Sequence, residues 1–93
     1  MITVHTEFHS HFKELAATGR DSFQLDEPLV SELAERISAR YGEKMRAILI
    51  DAETGELSEK GTMFVDTKGR RISMEGRLAD GETISFMVGI AGG

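Results

Sequence analysis

The last strand and the tail of this chain are written in Leu78-Ala79-Asp80-Gly81-Glu82-Thr83-Ile84-Ser85-Phe86-Met87-Val88, followed by Gly89-Ile90-Ala91-Gly92-Gly93. Ala79-Asp80-Gly81 is a tight-turn signal, because Asp and Gly tolerate the backbone angles such a turn needs. From Thr83 the residues alternate, with Ile84, Phe86 and Val88 on one face, the pattern of a half-buried strand. Nothing after Val88 can pack heavily. The spacing therefore predicts a folded domain over 1–88 and a projecting Gly-Gly tail over 89–93.

Upstream, Ile2-Thr3-Val4-His5-Thr6-Glu7-Phe8-His9 also alternates, predicting a strand with Ile2, Val4, Thr6 and Phe8 on its inner face. His11 to Gly19 is either one helical turn or a loop. Ser22-Phe23-Gln24-Leu25 alternates again and pairs with the first strand as a hairpin. A helix is expected over 28–41. Asp26 is its candidate cap, Pro28 suits the first turn, and Val30, Leu33, Ala34, Ile37 and Tyr41 share one face. Gly42 suits the stop. Ala47-Ile48-Leu49-Ile50 is a continuous apolar run and predicts a central strand. Thr62-Met63-Phe64-Val65 predicts another, with Arg71-Ile72-Ser73-Met74 extending or edging the sheet. One amphipathic helix across one face of a mixed sheet is the economical α+β arrangement.

Composition narrows the function. Ninety-three residues make one small domain with little room for an enclosed cleft, so an enzyme acting alone is not expected. Sixteen acidic against eleven basic residues give a net charge of −5. That balance repels nucleic acid and favours a basic partner surface. There is no cysteine, which excludes disulfides, thiolate metal sites and thiol nucleophiles. No apolar run approaches membrane-spanning length, and no secretory signal is visible at the N-terminus. The expectation is a soluble, cytoplasmic protein with no membrane or nucleic-acid partner.

The stretch from Leu78 to Phe86, with the ending Ala91-Gly92-Gly93, resembles the MoaD/ThiS family of ubiquitin-like sulfur carriers. The opening strand, Phe12-Lys13-Glu14-Leu15 and the helix over 28–41 add to that resemblance. It implies a β-grasp (ubiquitin-like) fold. It further implies a protein co-substrate rather than a free-standing enzyme. An ATP-dependent adenylating partner of the ubiquitin-activating type would adenylate the Gly93 carboxylate, and a sulfur donor would convert it to a thiocarboxylate. A larger synthase subunit is a further implied partner, and no cofactor is held by the carrier itself. Five residues from Gly89 extend at most about 17 Å, enough to thread a narrow channel. Gly93 then supplies the reacting carbonyl and Gly92 the clearance. Phe86 and Met87 match aromatic positions before the family's tail and, with Ile90 and Ala91, are candidate docking contacts. The parity of Phe86 with Ile84 instead directs it into the core.

Where small subunits of molybdopterin synthase carry a Pro-Pro pair, this chain has Met87-Val88-Gly89, so the acceptor stays open among molybdopterin, thiamine, cysteine, homocysteine and tRNA. Conjugation of Gly93 to protein lysines, as in a ubiquitin-like modifier, is an alternative. So is a binding or regulatory module that uses only its sheet surface. His5, His9 and His11 are weak metal candidates; a polar surface strip is the plainer reading. The acids Asp51, Glu53 and Glu56 lack calcium-loop spacing, and Asp66-Thr67-Lys68-Gly69 lacks the phosphate-loop pattern.

Overall fold

Alternation along β1 (Ile2–Phe8) is realised as expected: Val4, Thr6 and Phe8 are buried while His5 is exposed. In this computed structural model, which describes residues 1–59 and 61–88, β1 pairs antiparallel with β2 (Arg20–Leu25). The register sets Val4 opposite Phe23 and His5 opposite Ser22. On its other side β1 runs parallel to β4 (Thr83–Val88), with Thr6 opposite Ile84 and Phe8 opposite Phe86. β3 (Thr62–Val65) completes the sheet antiparallel to β4, giving the order β2-β1-β4-β3.

Three helices cover one face of this sheet. α1 (His11–Ala16) buries Phe12 and Ala16, one helical turn apart, which settles the alternative left open for that segment in favour of a helix. α2 (Val30–Tyr41) buries Val30, Leu33, Ala34 and Ile37 on the stripe its periodicity predicts. It ends at Gly42, whose φ of +93° suits a residue without a Cβ. The cap differs from expectation. Helical geometry begins at Val30, not at Pro28, and no side chain caps it. The Val30 and Ser31 amides donate instead to the carbonyls of Gly76 and Met74, at 3.0 and 3.1 Å. The Glu32 carboxylate accepts from the Asp26 and Glu27 amides.

The predicted central strand at Ala47–Ile50 is corrected. These residues lie in α3 (Glu43–Leu49), with only Ile50 forming an isolated bridge to Leu57. Met45 and Leu49 are fully buried, spaced as on one helical face, so the run is amphipathic once Met45 is counted. A four-residue apolar run is compatible with both periods, and packing decided. The expected strand at Arg71–Met74 reduces to one bridge, Val65 to Arg71, before the chain turns to cap α2.

Four phenylalanines fill the space between α1 and the sheet. Phe86 lies 5.6 Å from Phe8, 5.4 Å from Phe64 and 6.2 Å from Phe12 between ring centroids. Each such side chain contributes about 1.5–3 kcal/mol by burial, and edge or offset ring pairs add about 0.5–1.5 kcal/mol. At the opposite side of the sheet, Asp21 of β2 accepts hydrogen bonds from the Tyr41 hydroxyl and, at 2.9 Å, from Arg40. Burial pushes the Asp21 carboxyl up, but the bonds from Tyr41, Arg40 and the Ser22 amide outweigh it and leave its pKa below the usual range. Burial and the neighbouring carboxylate push the Tyr41 phenol up to about 12.

Candidate functional site: the root of the tail and the open sheet face

The stretch Leu78–Glu82 anchors β4, the strand that ends at Val88. Leu78 is a core residue whose amide donates to the Pro28 carbonyl at 2.8 Å. The Asp80 carboxylate accepts from the Thr3 amide at 2.8 Å, and the Gly81 amide donates to the Thr3 carbonyl at 2.7 Å. Gly81 reaches that carbonyl with φ at +83°, a conformation glycine takes without strain. Glu82 closes the turn by accepting from the Ala79 amide at 2.9 Å. Asp80 and Gly81 therefore fix the start of β4 on β1, while Leu78 ties the turn to Pro28 and the Glu82 carboxylate closes it. β4 then runs as an interior strand, paired with β1 as far as Phe86 and with β3 from Ser85 to Val88, which stands opposite Thr62.

The candidate residues separate. Phe86 is 2 % exposed inside the aromatic cluster, so its ring offers no docking surface, and the core assignment from its parity holds. Met87 points to the opposite, helix-free face and stands directly across from Met63, which is 37 % exposed. Ile90, Ala91, Gly92 and Gly93 lie outside the described residues.

The helix-free face has an unusual composition for a chain in which 29 % of residues are charged. Register assigns to it Ser22 and Gln24 from β2, Thr3, His5 and Glu7 from β1, Thr83, Ser85 and Met87 from β4, and Met63 and Val65 from β3. Its charges are Glu7 and Arg20, and these pair with each other at 3.2 Å. A solvent-facing sheet usually carries scattered charges. Depletion of charge, with a methionine pair at the β3 edge near the end of β4, is the kind of composition an interface core has. Met63, Val65, Thr83 and Ser85 escaped the sequence reading as surface contacts. Their parity was legible, but the face emerges only once four strands are in register.

The three histidines do not converge. His5 Nδ1 is 2.8 Å from the Ser22 hydroxyl, His9 Nε2 is 3.8 Å from a Glu7 carboxylate oxygen, and His11 Nδ1 is 3.2 Å from Glu14. Among the described residues, no three His, Asp or Glu side chains are grouped to hold a metal ion. No described helix is long and apolar enough to cross a membrane.

A mixed four-stranded sheet with a parallel central pair, an antiparallel strand at each edge and helices on one face is the β-grasp, ubiquitin-like fold. Solved structures agree. The chain is similar to a Pyrococcus furiosus protein described as molybdopterin converting factor, subunit 1, at 21 % identity and TM-score 0.76, over 97 % of this chain and 100 % of that one. It is similar to SAMP1 from Haloferax volcanii at 13 % identity and TM-score 0.81, over 98 % and 99 % of the two chains. It is also similar to Urm1 from Trypanosoma brucei at 19 % identity and TM-score 0.70, over 98 % and 95 %. These neighbours are consistent with the MoaD/ThiS resemblance, and at such identities the shared property is the fold. No family model matches the chain. No curated protein matches it.

Proposed function

We propose that this protein is a sulfur carrier whose working group is the carboxylate of Gly93. An ATP-using adenylating enzyme joins AMP to that carboxylate with release of pyrophosphate. A sulfur donor then displaces AMP, leaving a thiocarboxylate to be handed to an acceptor in cofactor, amino-acid or tRNA biosynthesis. The protein is a co-substrate and holds no cofactor of its own; a larger synthase subunit is the second partner. The observation that carries the reading is the anchored β4. Its start is locked to β1 by Asp80 and Gly81, and it leads into Gly89-Ile90-Ala91-Gly92-Gly93. The strand is fixed as far as Val88, and the last two residues of the sequence beyond it, Gly92 and Gly93, carry no side chains. Met87 and Met63, on the helix-free face near the end of β4, are the favoured docking contacts.

The test is intact-protein mass spectrometry after incubation with ATP, sulfide and an extract that activates a known carrier. Replacement of one oxygen by sulfur, localised to Gly93 and abolished by deleting Gly92-Gly93, is expected. An unchanged mass in that extract overturns the reading.

A second reading is favoured by the same sheet face: attachment of Gly93 to lysines of other proteins, with the face recognised by the conjugating machinery. One of the solved neighbours from Haloferax volcanii is described as a small archaeal modifier protein. A protein-sized mass added at Gly93, in place of sulfur, identifies this outcome.

A further inference from the structure

Among the described residues, β2 is an edge strand with β1 as its one neighbour in the sheet. In an antiparallel pair every second residue turns its N–H and C=O away from the partner. Here the outward residues are Arg20, Ser22 and Gln24. His5, opposite Ser22, sends its own amide to the Glu82 carbonyl on the other side, as this parity requires. Such a row ordinarily templates the addition of another strand.

Side chains of the same chain occupy four of the six groups in that row, those of Arg20 and Ser22. The Thr18 hydroxyl donates to the Arg20 carbonyl at 3.0 Å and accepts from the Arg20 amide at 3.4 Å. The Ser22 amide donates to the Asp21 carboxylate at 2.8 Å. The Ser22 carbonyl accepts from the Arg40 guanidinium at 3.1 Å. Just past the strand, the Asp26 amide donates to Glu32 at 2.6 Å. Gln24 is the outward residue whose backbone groups find no partner among the described residues. Arg40 belongs to a different element, α2, and it does three things at once. It closes the Ser22 carbonyl, pairs with Asp21 at 2.9 Å, and lays its guanidinium 4.1 Å from the centre of the Phe23 ring.

We propose that this is a seal, with Arg40 as its keystone, that keeps β2 closed to strand addition and the protein monomeric. The occupant it excludes is a second copy of this chain. Two β2 edges related by a twofold axis meet antiparallel and are self-complementary, so opening one opens both. The inference concerns the free protein and does not depend on the chemistry of Gly93.

The test uses the double variant Thr18→Val with Arg40→Met. Valine keeps the shape of threonine without its hydroxyl. Methionine keeps a stem to cover Phe23 but has no donor. Light scattering coupled to size exclusion reads the mass over a wide range of concentration. The wild type is expected to stay at its monomer mass of 10.2 kDa. The double variant is expected to approach twice that mass as concentration rises, with circular dichroism unchanged. Adding Gln24→Pro removes an outward N–H that β1 does not use, and is expected to restore the monomer. A folded double variant that stays monomeric overturns the proposal. So does association that Gln24→Pro leaves intact, since the contact is then elsewhere. The single variant Arg40→Met, with Thr18 in place, reads the keystone alone; a folded monomer at every concentration there removes Arg40 from that role.

Discussion

The two faces of the sheet are built from the same strands, yet they answer to different constraints. Inward, Val4, Phe8, Phe23, Leu25, Phe64, Ile84 and Phe86 are all at most 4 % exposed and interlock with three helices. Outward, Thr3, His5, Ser22, Thr83, Ser85, Met63 and Met87 meet no helix, and the charges Glu7 and Arg20 cancel by pairing. The inner face has its partner within the chain. The outer face has the composition of a surface awaiting one, and β4 contributes to both. Stability is therefore concentrated on one side of the strands, while recognition is expected on the other.

That division is testable by substitution. The largest effect is expected from Phe86→Ala, which removes the ring shared by three aromatic contacts. Large-to-small changes of this kind cost about 3–5 kcal/mol, most of the stability of a domain this small. Urea unfolding checks it; a loss below about 1 kcal/mol would mean that the cluster does not hold the core.

A smaller effect is expected at the margin between the faces. Tyr41 donates to Asp21, and its pKa stands near 12 against 10.0 in the unfolded chain. The folded state thus retains a proton that the unfolded state loses. The bond's contribution is present below pH 10 and disappears as the pH climbs from 10 to about 12. Tyr41→Phe is expected to lower stability by on the order of 1 kcal/mol at neutral pH, discounted for the partial exposure of the pair. It should also flatten the alkaline decline. Thermal melts of both proteins across that window decide it, and parallel declines would assign the alkaline loss to other groups.

The smallest effect on stability, within about 0.5 kcal/mol, is expected from Met63→Ser combined with Met87→Ser on the outer face. The same pair should weaken activation about tenfold through KM, because two apolar contacts are removed from the docking surface. Unchanged KM would move the docking surface away from these methionines. A large stability loss would break the contrast between the faces.

Much of this was legible in the residues. Period-two alternation over 2–8 and 83–88, the helical stripe from Val30 to Tyr41, the stop at Gly42 and the turn at Asp80-Gly81 are local signals, each carried by residues close in the chain. They sufficed for a mixed sheet with one main helix and for placing Phe86 in the core, while the β-grasp expectation came from the family resemblance of Leu78–Phe86 and the Gly-Gly ending. The sequence alone also identifies the Gly-Gly ending, the feature on which the proposed chemistry rests.

Other features were decided only in three dimensions. Ala47–Ile50 is too short to distinguish strand from helix by period, and it became helical because Met45 and Leu49 bury together in α3. α2 starts at Val30 because carbonyls of Met74 and Gly76, more than forty positions along the chain, meet its first amides. The pairing of Met63 with Met87, the self-cancelling charges of Glu7 and Arg20, and the closure of the β2 edge by Arg40 all join residues from different elements. A local pattern states which side of its own element a residue takes. Which side chains then become neighbours depends on strand register and helix docking, and these are settled by burying one common core.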